Sequence, residues 1–177
     1  MRIAIIGATG SGKTTQSQLL ARHLSLPIIS VGEMLRDLAK KSEPQSKEVQ
    51  AALSKGKLVS PKLALQLLRQ RLLEVDVEKG FILDGMPRTV IEAQQMQKLF
   101  SLRHVFHLEA DLKVAQKRLL ERGREDDTEE LISKRFGVYQ KEIEPILKFY
   151  RQLGILVEID ASATTSEINK KIVSNLS

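Results

Sequence analysis

Apolar residues along the chain follow two alternating patterns. Short, nearly unbroken runs at Arg2–Ile6, Pro27–Ile29, Gly80–Asp84, His104–Leu108 and Ile155–Ile159 are bounded by glycine, proline or polar residues. Such runs predict strands buried on both faces. Between them, apolar residues recur at every third or fourth position. That spacing predicts helices over Lys13–Leu24, Gly32–Lys40, Ser46–Lys55, Ser60–Val75, Thr89–Phe100, Asp111–Glu121, Thr128–Arg151 and Thr165–Leu176. The alternation predicts an α/β fold, a five-stranded parallel sheet with helices on both faces.

Several boundaries have a local cause. Ser60-Pro61 reads as an N-cap followed by proline at the first helical position. Asp126-Asp127-Thr128-Glu129-Glu130 places capping and acidic residues at a helix start. Ile132, Phe136, Tyr139, Ile143, Ile146 and Tyr150 form an apolar stripe behind it, in which Pro145 is a candidate kink. Residues 30–59 and 122–127 interrupt the strand–helix rhythm and are candidate moving pieces on a rigid scaffold.

Composition narrows the function. A length of 177 residues suits one domain, and the 42% hydrophobic content supplies a core. No apolar run reaches the roughly 18 residues of a membrane span. The N-terminal apolar run is cut at Gly7, too early for a signal peptide. With zero cysteines this predicts a cytoplasmic protein without disulfides or a zinc–thiolate site. The net charge of +6 points to nucleic acid or to polyphosphate substrates. Five Phe, two Tyr and no Trp leave few platforms for stacked bases, so nucleic acid is not the expected partner.

Gly7-Ala8-Thr9-Gly10-Ser11-Gly12-Lys13-Thr14-Thr15 fits G-x-x-x-x-G-K-[ST] between a predicted strand and a predicted helix. The glycines let backbone N–H groups turn inward, and the helix start adds partial positive charge. Lys13 supplies a mobile cation for β- and γ-phosphates, and Thr14 or Thr15 a hydroxyl for Mg²⁺. The pattern implies nucleotide binding, with ATP–Mg²⁺ as the expected ligand. Asp84 ends an apolar run, where its carboxylate holds the metal through water or else caps a turn before Gly85.

Further motifs extend over nearly the whole chain. Ile29-Ser30-Val31-Gly32-Glu33-Met34-Leu35-Arg36 is similar to I-S-T-G-D-x-L-R, and Gly56-Lys57-Leu58-Val59 to G-x-x-V. Gly80-Phe81-Ile82-Leu83-Asp84-Gly85-Met86-Pro87-Arg88-Thr89 is similar to G-F-[IL]-L-D-G-[FY]-P-R-T. Arg122 to Glu130 resembles the edge of a lid, followed by Lys134-Arg135. Together these resemble the adenylate kinase family of nucleoside monophosphate kinases, short-lid type, which has a three-layer P-loop NTPase fold.

The resemblance implies transfer of the γ-phosphoryl of ATP to AMP, giving two ADP. Gly10, Ser11, Gly12, Lys13, Thr14 and Thr15 would wrap the ATP phosphates. Arg118, Arg122 and backbone near Ala163 would lie on the ATP side. Val31, Arg36, Lys57, Leu58, Val59, Gly85, Met86, Pro87, Arg88 and Glu92 would contact the acceptor. Lys13, Arg88, Arg124 and Arg135 would act catalytically on the phosphates in flight. Residues 30–59 would be the acceptor-binding insertion and 122–127 the lid, on a monomer without nucleic-acid or membrane partners. Phosphoryl transfer needs positioning and opposing charge, which arginines provide, and no general base. His23, His104 and His107 accordingly read as structural. Each arginine also has a plainer reading on a solvated surface, Arg118 and Arg122 pairing there with Glu121 or Glu125.

Three positions depart from the family pattern. Thr14 stands where glycine is usual, Val31 where threonine is usual and Glu92 where glutamine is usual. An ionised Glu92 would suit guanine, whose N1–H and N2–H₂ are adjacent donors; a neutral Glu92 could read adenine. Alternatively Gln94 or Gln95 reads the base. A kinase for GMP or a pyrimidine monophosphate, or a nucleotide-binding regulator of weak turnover, therefore stands beside the adenylate kinase reading.

Overall fold

The computed structural model describes residues 1–124 and 127–176. Two positions of the expected lid, Glu125 and Asp126, lie outside the described residues.

β1 (Arg2–Gly7) alternates between two cores. Ile3 and Ile5 face one side, Ala4 and Ile6 the other, and all four are buried. That is the period of two in a strand covered on both faces. β3 (Phe81–Asp84) repeats the pattern, with Ile82 on one side and Phe81 and Leu83 on the other. β2 (Ile28–Ile29), β4 (His104–Glu109) and β5 (Leu156–Asp160) complete a sheet of order β2-β3-β1-β4-β5, with every pairing parallel.

α1 (Lys13–Leu24) and α8 (Thr165–Ser174) supply Leu20, Ile168 and Ile172 to one core. α2 (Val31–Ala39), α3 (Ser46–Ser54), α4 (Pro61–Arg71), α5 (Val90–Leu99) and α7 (Glu129–Gln152) build the other, with Leu35, Val49, Leu68, Met96 and Tyr150 among its residues. α6 (Leu112–Arg122) follows β4 and packs on α7. The fold is the expected three-layer α/β arrangement. Because β1 lies between β3 and β4, the connections diverge to its two sides, and a crevice opens at the strands' carboxyl ends.

Some boundaries differ from those the periodicity predicts. The helix expected over Ser60–Val75 ends at Arg71. Arg71 turns back to form a two-pronged bond to Asp76, at 2.8 and 2.7 Å, and the chain continues as a 3₁₀ turn at Val75–Val77. The second strand keeps only Ile28 and Ile29, although the Pro27 carbonyl still accepts from the Ile82 N–H at 2.9 Å. α7 runs unbroken through Pro145.

Leu68 is fully buried in the core to which α4 contributes and lines neither the main cleft nor its small annex. Leu68→Ala is expected to lower the unfolding free energy in urea by about 2–5 kcal/mol while leaving nucleotide affinity unchanged. A loss under about 1 kcal/mol would contradict this packing.

Candidate active site

The loop between β1 and α1 follows from its glycines. A Cβ on Gly7 (φ +147) would lie 2.4 Å from the Leu108 carbonyl oxygen, and one on Gly10 (φ +81) 2.6 Å from that of Ala115. No side chain fits at either place. Ser11 is fully buried beneath the loop, so it offers the cleft its backbone. α1 starts at Lys13 with no acidic residue in its first turn, leaving its positive end uncompensated. Lys13 Nζ folds over the loop and donates to the Ala8 carbonyl at 2.6 Å. Thr14 Oγ1 donates to Asp84 Oδ2 at 2.7 Å, joining α1 to the end of β3.

This loop forms one wall of a cleft of about 550 Å³. Gly10 to Thr15, Arg36, Lys57, Leu58, Asp84, Gly85, Pro87, Arg88, Arg118, Arg122, Arg124 and Arg135 all line it. The volume lies within the range of small-molecule sites. Cations from separate elements converge around two glycines. A Cβ on Gly85 would lie 3.5 Å from Lys13 Cε and 3.6 Å from Arg88 Nη2. A Cβ on Gly32 would lie 3.2 Å from Arg88 Nη2 and 3.6 Å from Arg36 Nη1. Arg88 is steadied by its Nε, which donates to the Gly85 carbonyl at 2.9 Å. Burial pushes the Lys13 ammonium down to about 8; Asp84 opposes that shift, while Arg88 and Arg122 add to it.

The arginines after α6 have a partner that sequence reasoning did not assign. The side chain of Asp127 is fully buried, and it accepts from Arg122 Nε at 2.8 Å and Nη2 at 2.6 Å. Arg135 Nη1 lies 3.8 Å away, and the Arg124 N–H donates to Asp127 at 3.3 Å. Among the described residues Arg122 thus pairs with Asp127 in place of the expected Glu121, and the expected Glu125 lies outside them. In the sequence the Asp-Asp pair reads only as a helix cap, but Thr128 caps α7 by accepting from the Leu131 N–H. That leaves the Asp127 carboxylate to the arginines.

On the far side of the loop Arg118 lines the cleft, and one expectation changes. Arg118 Nη2 donates to the Ala161 carbonyl at 3.1 Å. Ala163 lies outside the cleft, packed on the α1/α8 core; Gln16, Thr165 and Ile168 line the wall there instead. Gln16 is buried and donates to the Thr165 carbonyl at 2.9 Å, which no local motif signals.

Val31, Val59, Met86 and Glu92 line a smaller annex of about 30 Å³, shared with Gly85, Arg88, Lys57 and Leu58. Glu92 Oε2 accepts from the Arg88 N–H at 2.6 Å and the Thr89 N–H at 3.3 Å, and Thr89 Oγ1 accepts from the Glu92 N–H at 3.2 Å. This capping box spends one carboxylate oxygen on the turn that carries Arg88. Burial raises the Glu92 pKa, against the pull of those bonds and of Arg88. Gln94 and Gln95 line neither cavity.

No group of three or more His, Cys, Asp or Glu among the described residues forms a metal cage. The adjoining oxygens of Thr14 and Asp84 are hard donors, suited to an ion that keeps water and phosphate ligands. Among the described residues no helix is long and apolar enough to cross a membrane.

Known proteins match this chain almost end to end. A family model described as adenylate kinase matches residues 5–155. An adenylate kinase of Prochlorococcus marinus (strain MIT 9211) is 37% identical over 180 residues, covering 99% of this chain and 96% of its own. One from Bifidobacterium longum (strain NCC 2705) is 37% identical, covering 99% and 100%. Adenylate kinase 1 of Nostoc sp. (strain PCC 7120 / SAG 25.82 / UTEX 2576) is 35% identical, covering 99% and 98%.

The lowered Lys13 pKa has a measurable consequence. A bound polyphosphate restores the charged form, so binding takes up a proton once free Lys13 begins to titrate near 8. The Lys13 share of the affinity for inorganic tripolyphosphate, read as wild type against Lys13→Met, is therefore expected to be full below about pH 7 and to be lost as pH rises past 8. Calorimetry in buffers of different ionisation enthalpy measures the uptake, and Lys13→Met should lower it relative to wild type near pH 8. Equal uptake in that variant would contradict the assignment.

Proposed function

The chain belongs to the adenylate kinase family, and from that membership we propose that it transfers the γ-phosphoryl of ATP to AMP, yielding two ADP. The observation that carries this reading is the meeting of Lys13 with Arg88 at Gly85, and of Arg88 with Arg36 at Gly32. A donor phosphate chain on the loop and an acceptor phosphate on the arginines would then point at each other.

The division of labour follows from charge. Backbone N–H groups of Gly10 to Thr15 hold the triphosphate, with Lys13 between its outer phosphates. Arg36 and Arg88 grip the acceptor phosphate, whose oxygen attacks the γ-phosphorus as the bond to the β–γ bridging oxygen breaks. The attacking oxygen is already ionised, so no base is required. Arg124 and Arg135 offset charge on the equatorial oxygens, and Arg118 and Arg122 flank the ATP side. Thr14 and Asp84 would hold Mg²⁺, directly or through water, and the bound ion shields the β- and γ-phosphates. Residues 30–59 form the acceptor insertion and 122–127 the lid, which together exclude water as a competing acceptor. The annex beside Val31, Leu58, Val59 and Glu92 borders the acceptor base. The protein acts in the cytoplasm as a monomer.

The capping bonds of Glu92 weaken the case for guanine on this reading. One of its oxygens is committed to the Arg88 turn, which leaves a single acceptor where guanine offers two adjacent donors.

Supplying ATP–Mg²⁺ with AMP, GMP, CMP, UMP or dTMP singly, and measuring ADP, tests the acceptor. AMP should give the highest kcat/KM, and the absence of that preference would contradict the reading. Lys13→Met and Arg88→Ala should each lower kcat by at least about 100-fold with unchanged circular dichroism. Near-normal rates in either variant would remove it from the transfer site.

A further inference from the structure

β4 lies beside β1, and His107 pairs in register with Ile6, one residue before the phosphate loop begins at Gly7. Its side chain is buried, yet it is not apolar packing alone. Nε2 lies 2.6 Å from the Tyr139 hydroxyl. Nδ1 lies 3.8 Å from Glu158 Oε2 on β5. Tyr139 stands one helical turn after Arg135 on α7, so the two share a face, and both line the cleft.

Burial keeps the imidazole neutral at pH 7, lowering its pKa against the pull of Glu158 and Glu109; Lys13 adds to the lowering and Glu144 opposes it. A neutral imidazole carries one N–H. The Glu158 carboxylate favours that proton on Nδ1, which leaves Nε2 an acceptor. Burial also keeps the Tyr139 phenol protonated. Tyr139 therefore donates to His107 Nε2.

Resting on the phosphoryl-transfer reading, we propose that His107 is a positioning residue of the reaction. Its bond to Tyr139 ties the turn of α7 that bears Arg135 to the strand supporting the phosphate loop. The spacing between Arg135 and Lys13, and so the fit of the arginine to the phosphoryl group in flight, depends on that tie. Transfer rates are sensitive to such spacing, because small displacements of a charged group forfeit much of its effect.

The test is a double-mutant cycle on the full chain with ATP–Mg²⁺ and AMP. His107→Leu and Tyr139→Phe should each lower kcat about five- to tenfold, while KM for either nucleotide shifts less than about twofold. The double variant should be no slower than the slower single one, because both remove the same bond. His107→Gln, whose amide oxygen can accept from Tyr139, should recover most of the rate. A purely structural role would lower the melting temperature and leave kcat in place; that result, or losses that multiply in the double variant, would overturn the proposal. Should His107→Leu fold poorly, Tyr139→Phe removes one oxygen atom and decides alone, and an unchanged kcat in it counts against the proposal. Wild-type protein that forms no ADP would sink the kinase reading and this inference with it, whereas active wild type with unaffected variants sinks the inference alone.

Discussion

Lys13, Arg36 and Arg88 bring like charges into one cleft and repel one another there. Without a ligand the molecule limits that repulsion with nearby oxygens. Lys13 leans on the Ala8 carbonyl, Arg88 on the Gly85 carbonyl, and Asp84 stands within reach of the group. Across the cleft the buried Asp127 carboxylate gathers Arg122 and Arg135. These contacts hold the cations in place, while burial, helped by Arg88 and Arg122 and opposed by Asp84, keeps the Lys13 pKa low. Phosphate groups complete the site electrically, which is why a cleft of this composition selects polyphosphates over neutral ligands.

Such an arrangement needs a frame that does not yield. The sheet is buried on both faces, with Ile3, Ile5, Ile82 and Phe106 packed one way and Ala4, Ile6, Leu83 and Val105 the other. Its central strand delivers the phosphate loop, its neighbour delivers Asp84, and the next turn delivers Arg88. The order of strands therefore places the loop, Asp84 and Arg88 side by side. Glu92 shows how tightly scaffold and site are joined, since one carboxylate both caps α5 and fixes the Arg88 backbone.

Sequence alone revealed the features that are local. The apolar alternation showed how many strands there are and where along the chain they lie, and the loop glycines declared themselves by spacing; the order of strands within the sheet came only with the structure. What escaped depends on chain segments meeting at a distance. Asp127 carries no mark distinguishing it from a helix cap until Thr128 is seen to do the capping. Gln16 lines the cleft only because Thr165, 149 positions away, takes its amide hydrogen. Ala163 was placed by resemblance to a loop whose exact path local pattern does not set, and the cleft wall there is made by Thr165 and Ile168. His107 read as a structural histidine because nothing near it in the chain announces Tyr139.

Direct transfer between two nucleotides held in one cationic cleft, with water kept out, leaves a signature in the products. The measurement that bears on it most directly follows the label from γ-³²P ATP in the presence of AMP and Mg²⁺. Direct transfer predicts that the label appears in ADP and that inorganic phosphate stays at background. Label released mainly as inorganic phosphate, or retained in ATP while both nucleotides bind, would contradict it.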